Sequence, residues 1–127
     1  MTDLTFDSLQ HASVDGTRLA YHESGQGDPV ILVHGTASDI RTWSEQIPSL
    51  SDAHRVIAYS RRYARPNDEI PDGVDDQMMP HVNDLKSFQQ AVNAHPAHLV
   101  GHSWGAFVCL LAAITNPDSV KSLVLLE

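Results

Sequence analysis

Cysteine is nearly absent: Cys109 is the only one in 127 residues. Without a second thiol no intrachain disulfide can form, and no cysteine-based metal site can be built. Basic residues are scarce too, with eight Lys and Arg against sixteen Asp and Glu for a net charge of −8. Nucleic acid and anionic membrane surfaces would repel such a chain, so neither is expected as a partner. No apolar run approaches the roughly 20 residues that a bilayer-spanning helix requires. The first residues, Met1-Thr2-Asp3-Leu4-Thr5-Phe6-Asp7, carry neither the basic start nor the apolar stretch of a secretory leader. No predicted helix carries two of the eight histidines at the spacing that puts two metal ligands on one face. These absences predict a cytoplasmic protein with no metal and no cofactor.

Hydrophobic residues make up 42% and charged residues 19%, enough at this length for one domain over residues 1–127 with its own core. No internal repeat or low-complexity segment interrupts it. Ser8 to Glu23 breaks at Asp15-Gly16, a dipeptide suited to a two-residue hairpin, and predicts an antiparallel pair of strands. Ser24 to Pro29 has the composition of a loop. Its Gly25-Gln26-Gly27 precedes a strand and lacks a third glycine opening a helix, so a turn is expected rather than a dinucleotide site. Pro29 to His34 is a continuous apolar run, as in parallel strands covered on both faces.

Ile40, Trp43, Ile47 and Leu50 recur at helical spacing within Ile40 to Ala53, with Pro48 expected to kink or end that helix. Arg55 to Tyr59 reads as another buried strand. Ser60 to Asp76 reads as a surface loop whose Arg61, Arg62 and Arg65 are solvated and balanced by neighbouring acids. Gln77 to Asn93 is amphipathic through Val82, Leu85, Phe88 and Val92. Ala97 to His102 is a third apolar strand. Ser103 to Thr115 is apolar nearly all round and should form a buried helix, with Cys109 a small core residue. Val120 to Leu126 supplies a last strand. The alternation predicts an α/β fold: a mainly parallel sheet with a leading antiparallel hairpin and helices on both faces.

Chemistry concentrates at Gly101-His102-Ser103-Trp104-Gly105, set between a predicted strand and a predicted helix. Turning sharply from one into the other strains the backbone at Ser103, and glycines at 101 and 105 remove side chains that would collide. The hydroxyl then stands at a helix N-terminus, where developing negative charge is favoured. The plainer reading makes Ser103 an ordinary helix N-cap. Val33-His34-Gly35-Thr36 ends an earlier parallel strand, so its loop should reach the same sheet edge. Backbone N–H groups of Thr36 and Trp104 could then meet the oxyanion of a tetrahedral intermediate. The plainer reading here is a tight turn needing Gly35.

Through these two motifs, Tyr59-Ser60-Arg61-Arg62-Tyr63 and Val82-Asn83-Asp84-Leu85, the chain resembles the α/β-hydrolase superfamily from Ser8 onward. The resemblance is to the serine-nucleophile type and to its N-terminal half, implying a truncated α/β-hydrolase fold. It implies Ser103 as nucleophile, oxyanion donors at Thr36 and Trp104, and supporting roles for His34, Gly35, Gly101, His102 and Gly105. The implied partner is a small ester-like substrate. Relatives of dehalogenase and epoxide-hydrolase type carry Asp at the elbow, so Ser103 argues against both.

One departure stands out. The superfamily's triad runs Ser, then Asp or Glu, then His. Here all eight histidines (His11, His22, His34, His54, His81, His95, His98 and His102) precede Ser103, and only Asp118 and Glu127 are later acids. Asp118 follows Asn116-Pro117 as a solvated turn residue, which leaves Glu127 as the candidate triad acid. Candidate bases are His34, His102 or a histidine of a second chain; otherwise no competent base exists, and a serine without one is a poor nucleophile. Three readings stay open: an ester-type serine hydrolase, a catalytically incomplete or ligand-binding protein on the same fold, and a flavodoxin-like nucleotide binder using His34-Gly35-Thr36-Ala37. The strand over residues 122–126 should form an exposed aliphatic edge and promote homo-oligomers.

Overall fold

The leading hairpin sets one edge of the sheet. In the computed structural model, which describes residues 4–127, β1 (Gln10–Val14) and β2 (Thr17–Ser24) pair antiparallel. Asp15 and Gly16 between them take φ of 46° and 80°. Two successive left-handed residues give the turn a twist that matches the flanking strands.

Four further strands follow: β3 (Pro29–Val33), β4 (Arg55–Tyr59), β5 (Ala97–His102) and β6 (Val120–Leu126). Their order in the sheet is β1-β2-β4-β3-β5-β6. β2 meets β4 antiparallel, while β4, β3, β5 and β6 are mutually parallel. Parallel neighbours need crossovers, supplied by α1 (Gln46–Ser51), α2 (Met78–Ala91) and α3 (Trp104–Thr115). Side chains alternate between two cores. Ile31, Val33, Ile57, Tyr59 and Leu99 face α2 and α3, whereas Val30, Leu32, Val56 and Ala58 face Ile40, Trp43 and Ile47. The mainly parallel sheet, its antiparallel hairpin and helices on both faces are as the sequence predicts.

Aromatic packing fixes α2. Phe88 stacks on Tyr59 at 4.6 Å and meets Tyr21 edge-on at 5.5 Å. Truncating such a side chain to alanine costs about 3–5 kcal/mol.

Two expectations are corrected. Ile40 to Ala53 is not one helix but a 3₁₀ turn over Ile40–Trp43 and the short α1. The break falls ahead of Pro48, which sits in the first turn of α1, where a missing N–H costs nothing. α3 is buried on one side only. Gly105, Val108, Cys109 and Ala112 face inward, while Phe107 and Ile114 are 59% and 66% exposed. A helix lying on the outside of a sheet can bury a single stripe, however apolar its remainder. β6 lies at the sheet edge with Val124, Leu125 and Leu126 exposed. No helix among the described residues is long and apolar enough to cross a membrane.

Candidate active site

Parallel register lines up the strand ends. Val33 pairs with Gly101 and with Tyr59, and His102 pairs with Leu126. The segments that follow, His34-Gly35-Thr36, Ser60-Arg61, Ser103 and Glu127, therefore emerge side by side at the carboxyl edge of the sheet. Ligands of open α/β sheets bind there.

Ser103 turns the chain from β5 into α3 with φ 55° and ψ −119°. A non-glycine residue holds such a backbone at a cost of order 1–3 kcal/mol. An N-cap serine has an extended backbone and accepts an N–H from the first turn. Ser103 has neither, making no capping bond from its side chain, and it is exposed. The plain capping role is therefore overturned. Its own N–H donates to the Leu126 carbonyl at 2.8 Å, tying the turn to β6.

Both flanking glycines are required by close backbone approach. A Cβ at position 101 would stand 2.6 Å from the Gly105 carbonyl oxygen, and one at position 105 would collide with the carbonyl oxygens of Val33 and His34. The start of α3 thus rests directly on the end of β3. Gly35 comes up from that side: a Cβ there would lie 3.0 Å from both Ser103 Cβ and the His102 carbonyl oxygen.

Consecutive residues at the turn border different cavities. Ser103 and Glu127 line a cleft of about 470 Å³ with Phe107, Leu110, Leu125 and Leu126. Thr36 and Trp104 line another, of about 330 Å³, with His34, Arg61, Tyr63 and Asp76. The structure brings Ser103 and Glu127 together and sets Gly35 against Ser103.

His34 is wholly buried and both its ring nitrogens are committed. Nδ1–H donates to the Gly35 carbonyl at 2.9 Å, and Nε2 accepts the Arg61 N–H at 2.9 Å. Burial, then the positive charge of Arg61, lowers its pKa to about 4. With no free lone pair, His34 is a scaffold for this loop and cannot be the base proposed from sequence.

The arginines are the largest surprise. Arg61 is not solvated but 5% exposed. Its Nε donates to the His34 carbonyl at 2.9 Å, Nη2 to the Gly35 carbonyl at 2.9 Å, and Nη1 to His81 Nδ1 at 3.1 Å. The guanidinium lies 4.8 Å from the centre of the Trp104 ring. His81 in turn presents Nε2–H to Asp76 at 2.6 Å. Burial lowers the His81 pKa, against the opposing pull of Asp76. Arg62 forms a two-pronged pair with Asp84, both bonds at 2.9 Å. Reading residues 60–76 as a self-balanced loop missed these partners, which lie on α2 and after β3. A signal existed: His81 shares the inward stripe of Leu85 and Phe88, spaced by four and seven residues.

Residues 28–127 match the family model described as alpha/beta hydrolase fold. The chain is 28% identical over 116 residues to a soluble epoxide hydrolase of Corynebacterium sp., covering 91% of this chain and 40% of that protein. Against a proline iminopeptidase of Heyndrickxia coagulans it is 29% identical over 114 residues, covering 87% and 40%. The crystal structure of an epoxide hydrolase from Vigna radiata superimposes with a TM-score of 0.89 at 25% identity, covering 94% of this chain and 39% of that one. The chain thus spans about two fifths of the length of these relatives. The match over those residues, on a sheet of this order with a strained serine at its carboxyl edge, places the chain in the α/β hydrolase fold family.

Proposed function

We propose that residues 1–127 form one α/β-hydrolase-like domain carrying the nucleophile and oxyanion hole of a serine hydrolase that acts on small ester-like substrates. The observation that carries this reading is the left-handed backbone of the exposed Ser103 at the start of α3. In the proposed reaction Ser103 Oγ bonds to the ester carbonyl carbon and gives up its proton to a base. The N–H groups of Thr36 and Trp104 hold the oxyanion. The C–O bond to the leaving alcohol then breaks as that oxygen takes the proton, and water releases the acid. Serine rather than aspartate at the elbow favours acyl transfer over the epoxide opening named for two relatives. Glu127, which borders the same cleft as Ser103, is the proposed acid of the triad.

The base comes from outside the His34 site, and a second copy of the chain is the proposed source. Exposed Val124, Leu125 and Leu126 on the edge strand, beside Phe107 on α3, support association of copies through residues 122–126. Light scattering at micromolar concentration should give a mass above 13.9 kDa; a clean monomer removes this part of the reading. A cytoplasmic setting remains part of the proposal.

Mass spectrometry after fluorophosphonate treatment tests the nucleophile. One adduct on Ser103, absent from Ser103→Ala, is expected. The engagement of both His34 nitrogens favours a second reading, a ligand-binding protein with no competent base. That reading predicts no adduct, with ligand binding indifferent to Ser103→Ala.

A further inference from the structure

The proposed oxyanion donor at Thr36 belongs to a planar unit whose other end is the Gly35 carbonyl. A trans peptide points its C=O and its N–H in opposite directions, so fixing one fixes the other. The Gly35 oxygen accepts two hydrogen bonds, from Arg61 Nη2 and from His34 Nδ1, each at 2.9 Å. Those bonds engage both of its lone pairs. Arg61 Nε holds the preceding carbonyl, that of His34, at 2.9 Å. Two successive peptides are thus gripped from one side by a single planar fork.

The fork is itself held. Arg61 Nη1 can only donate, so His81 Nδ1 is the acceptor and the His81 proton sits on Nε2, facing Asp76. No carboxylate among the described residues is within ion-pair reach of Arg61; its buried charge is met by the two carbonyls and the imidazole. The same guanidinium lies over the ring of Trp104, the residue that carries the second proposed donor.

Resting on the serine-hydrolase reading, we infer that Arg61, braced by His81 and Asp76, is the positioning residue that locks the Gly35–Thr36 peptide and so aims the Thr36 N–H. Arg61 touches no substrate in this role. Its positive charge on the Gly35 oxygen also polarises the peptide and strengthens the N–H as a donor. Lysine cannot replace it. An ammonium is a point charge on a flexible stem and cannot span two carbonyls and an imidazole at once.

The test pairs an activity-independent measurement with a kinetic one on the full chain. In ¹⁵N relaxation, the wild-type Thr36 amide should show an order parameter of about 0.85, falling below about 0.6 in Arg61→Lys. Amides of Val33 and Tyr59 should not change. His81→Gln, which still offers an acceptor oxygen, should keep Thr36 rigid, and His81→Phe should loosen it; this pair decides the matter if Arg61→Lys does not fold. Fluorophosphonate labelling of Ser103 should slow by about 10²-fold in Arg61→Lys, in the bond-forming step and not in probe binding.

A rigid Thr36 in Arg61→Lys and in His81→Phe overturns the inference, as does a Thr36 already mobile in the wild type. A loosened peptide with an unchanged labelling rate overturns the link to the oxyanion. Absence of labelling in the wild type instead sinks the hydrolase reading, and relaxation alone then judges Arg61.

Discussion

Gly35 packs against Ser103 so closely that a Cβ on the first would stand 3.0 Å from the Cβ of the second. The other neighbour at that distance is the His102 carbonyl oxygen, part of the backbone of β5. Neither is the loose end of a long side chain, so the elbow itself would have to move. Gly35→Ala should cost about 1–3 kcal/mol of stability, as overpacking does. It should also slow labelling of Ser103 by about tenfold or more, since a displacement of under an ångström already misplaces a reacting atom. Urea unfolding and labelling kinetics on one preparation measure both effects. A variant that labels at the wild-type rate would show the contact to be packing only.

The elbow glycines should behave differently from glycines that merely turn the chain. At positions 101 and 105 the colliding atoms are backbone on an adjacent element, and α3 would have to lift from β3 or β5. Gly105→Ala and Gly101→Ala should each cost about 3 kcal/mol or more. Gly73 has φ +78° and nothing within 4 Å of an added Cβ. Gly73→Ala should therefore cost only the left-handed penalty, about 1–2 kcal/mol. Chemical denaturation of the three variants tests the order, and equal losses would remove the case for a close-packed elbow.

What could be read from residues alone was whatever depends on near neighbours in the chain. Asp15-Gly16 announced its hairpin, the unbroken apolar run of β3 announced a strand buried on both faces, and Gly101 with Gly105 announced a crowded turn. Side-chain partners set by the fold were not legible. Arg61 sits in a basic cluster with Arg62 and Arg65, ahead of several acids in sequence, yet bonds to His34, Gly35 and His81, which are 20 to 27 residues away. Composition treats a charge near other charges as solvated; topology places this one under the sheet edge. The outer stripe of α3 failed for a related reason. Phe107, Leu110 and Ile114 count toward mean hydropathy wherever they point.

Arg62 and Asp84 should show an asymmetry. Asp84 is buried, with 1% of its side chain exposed, and Arg62 is partly open at 21%. The pair holds the Arg62 pKa above its usual range. Arg62→Ala strands a buried carboxylate and should cost about 3–5 kcal/mol. Asp84→Asn leaves an arginine that can turn to water, with an amide still able to accept one N–H, and should cost about 1–2 kcal/mol. Thermal or urea unfolding of the two variants compares the costs. Equal losses would mean that Asp84 is solvated without its partner.

Acid should weaken the fold through His34. An unfolded histidine protonates near its ordinary 6.5, whereas buried His34 stays neutral until about 4 because of desolvation and then the charge of Arg61. Between those values the unfolded chain binds the extra proton, so stability rises with pH across that window. The contribution is complete above about pH 6.5 and is lost as pH falls toward 4, amounting to about 3 kcal/mol in all. His81, also lowered by burial, acts in the same direction. Urea unfolding at pH 7 and pH 5 should therefore show the wild type losing about 2 kcal/mol more than His34→Gln, which has no ring to titrate. Carboxylates that protonate in this range are common to both proteins and cancel in the comparison. Parallel losses would show that His34 takes up a proton in the folded state at its ordinary pKa, which its two bonds, to Gly35 and from Arg61, do not permit without breaking one of them.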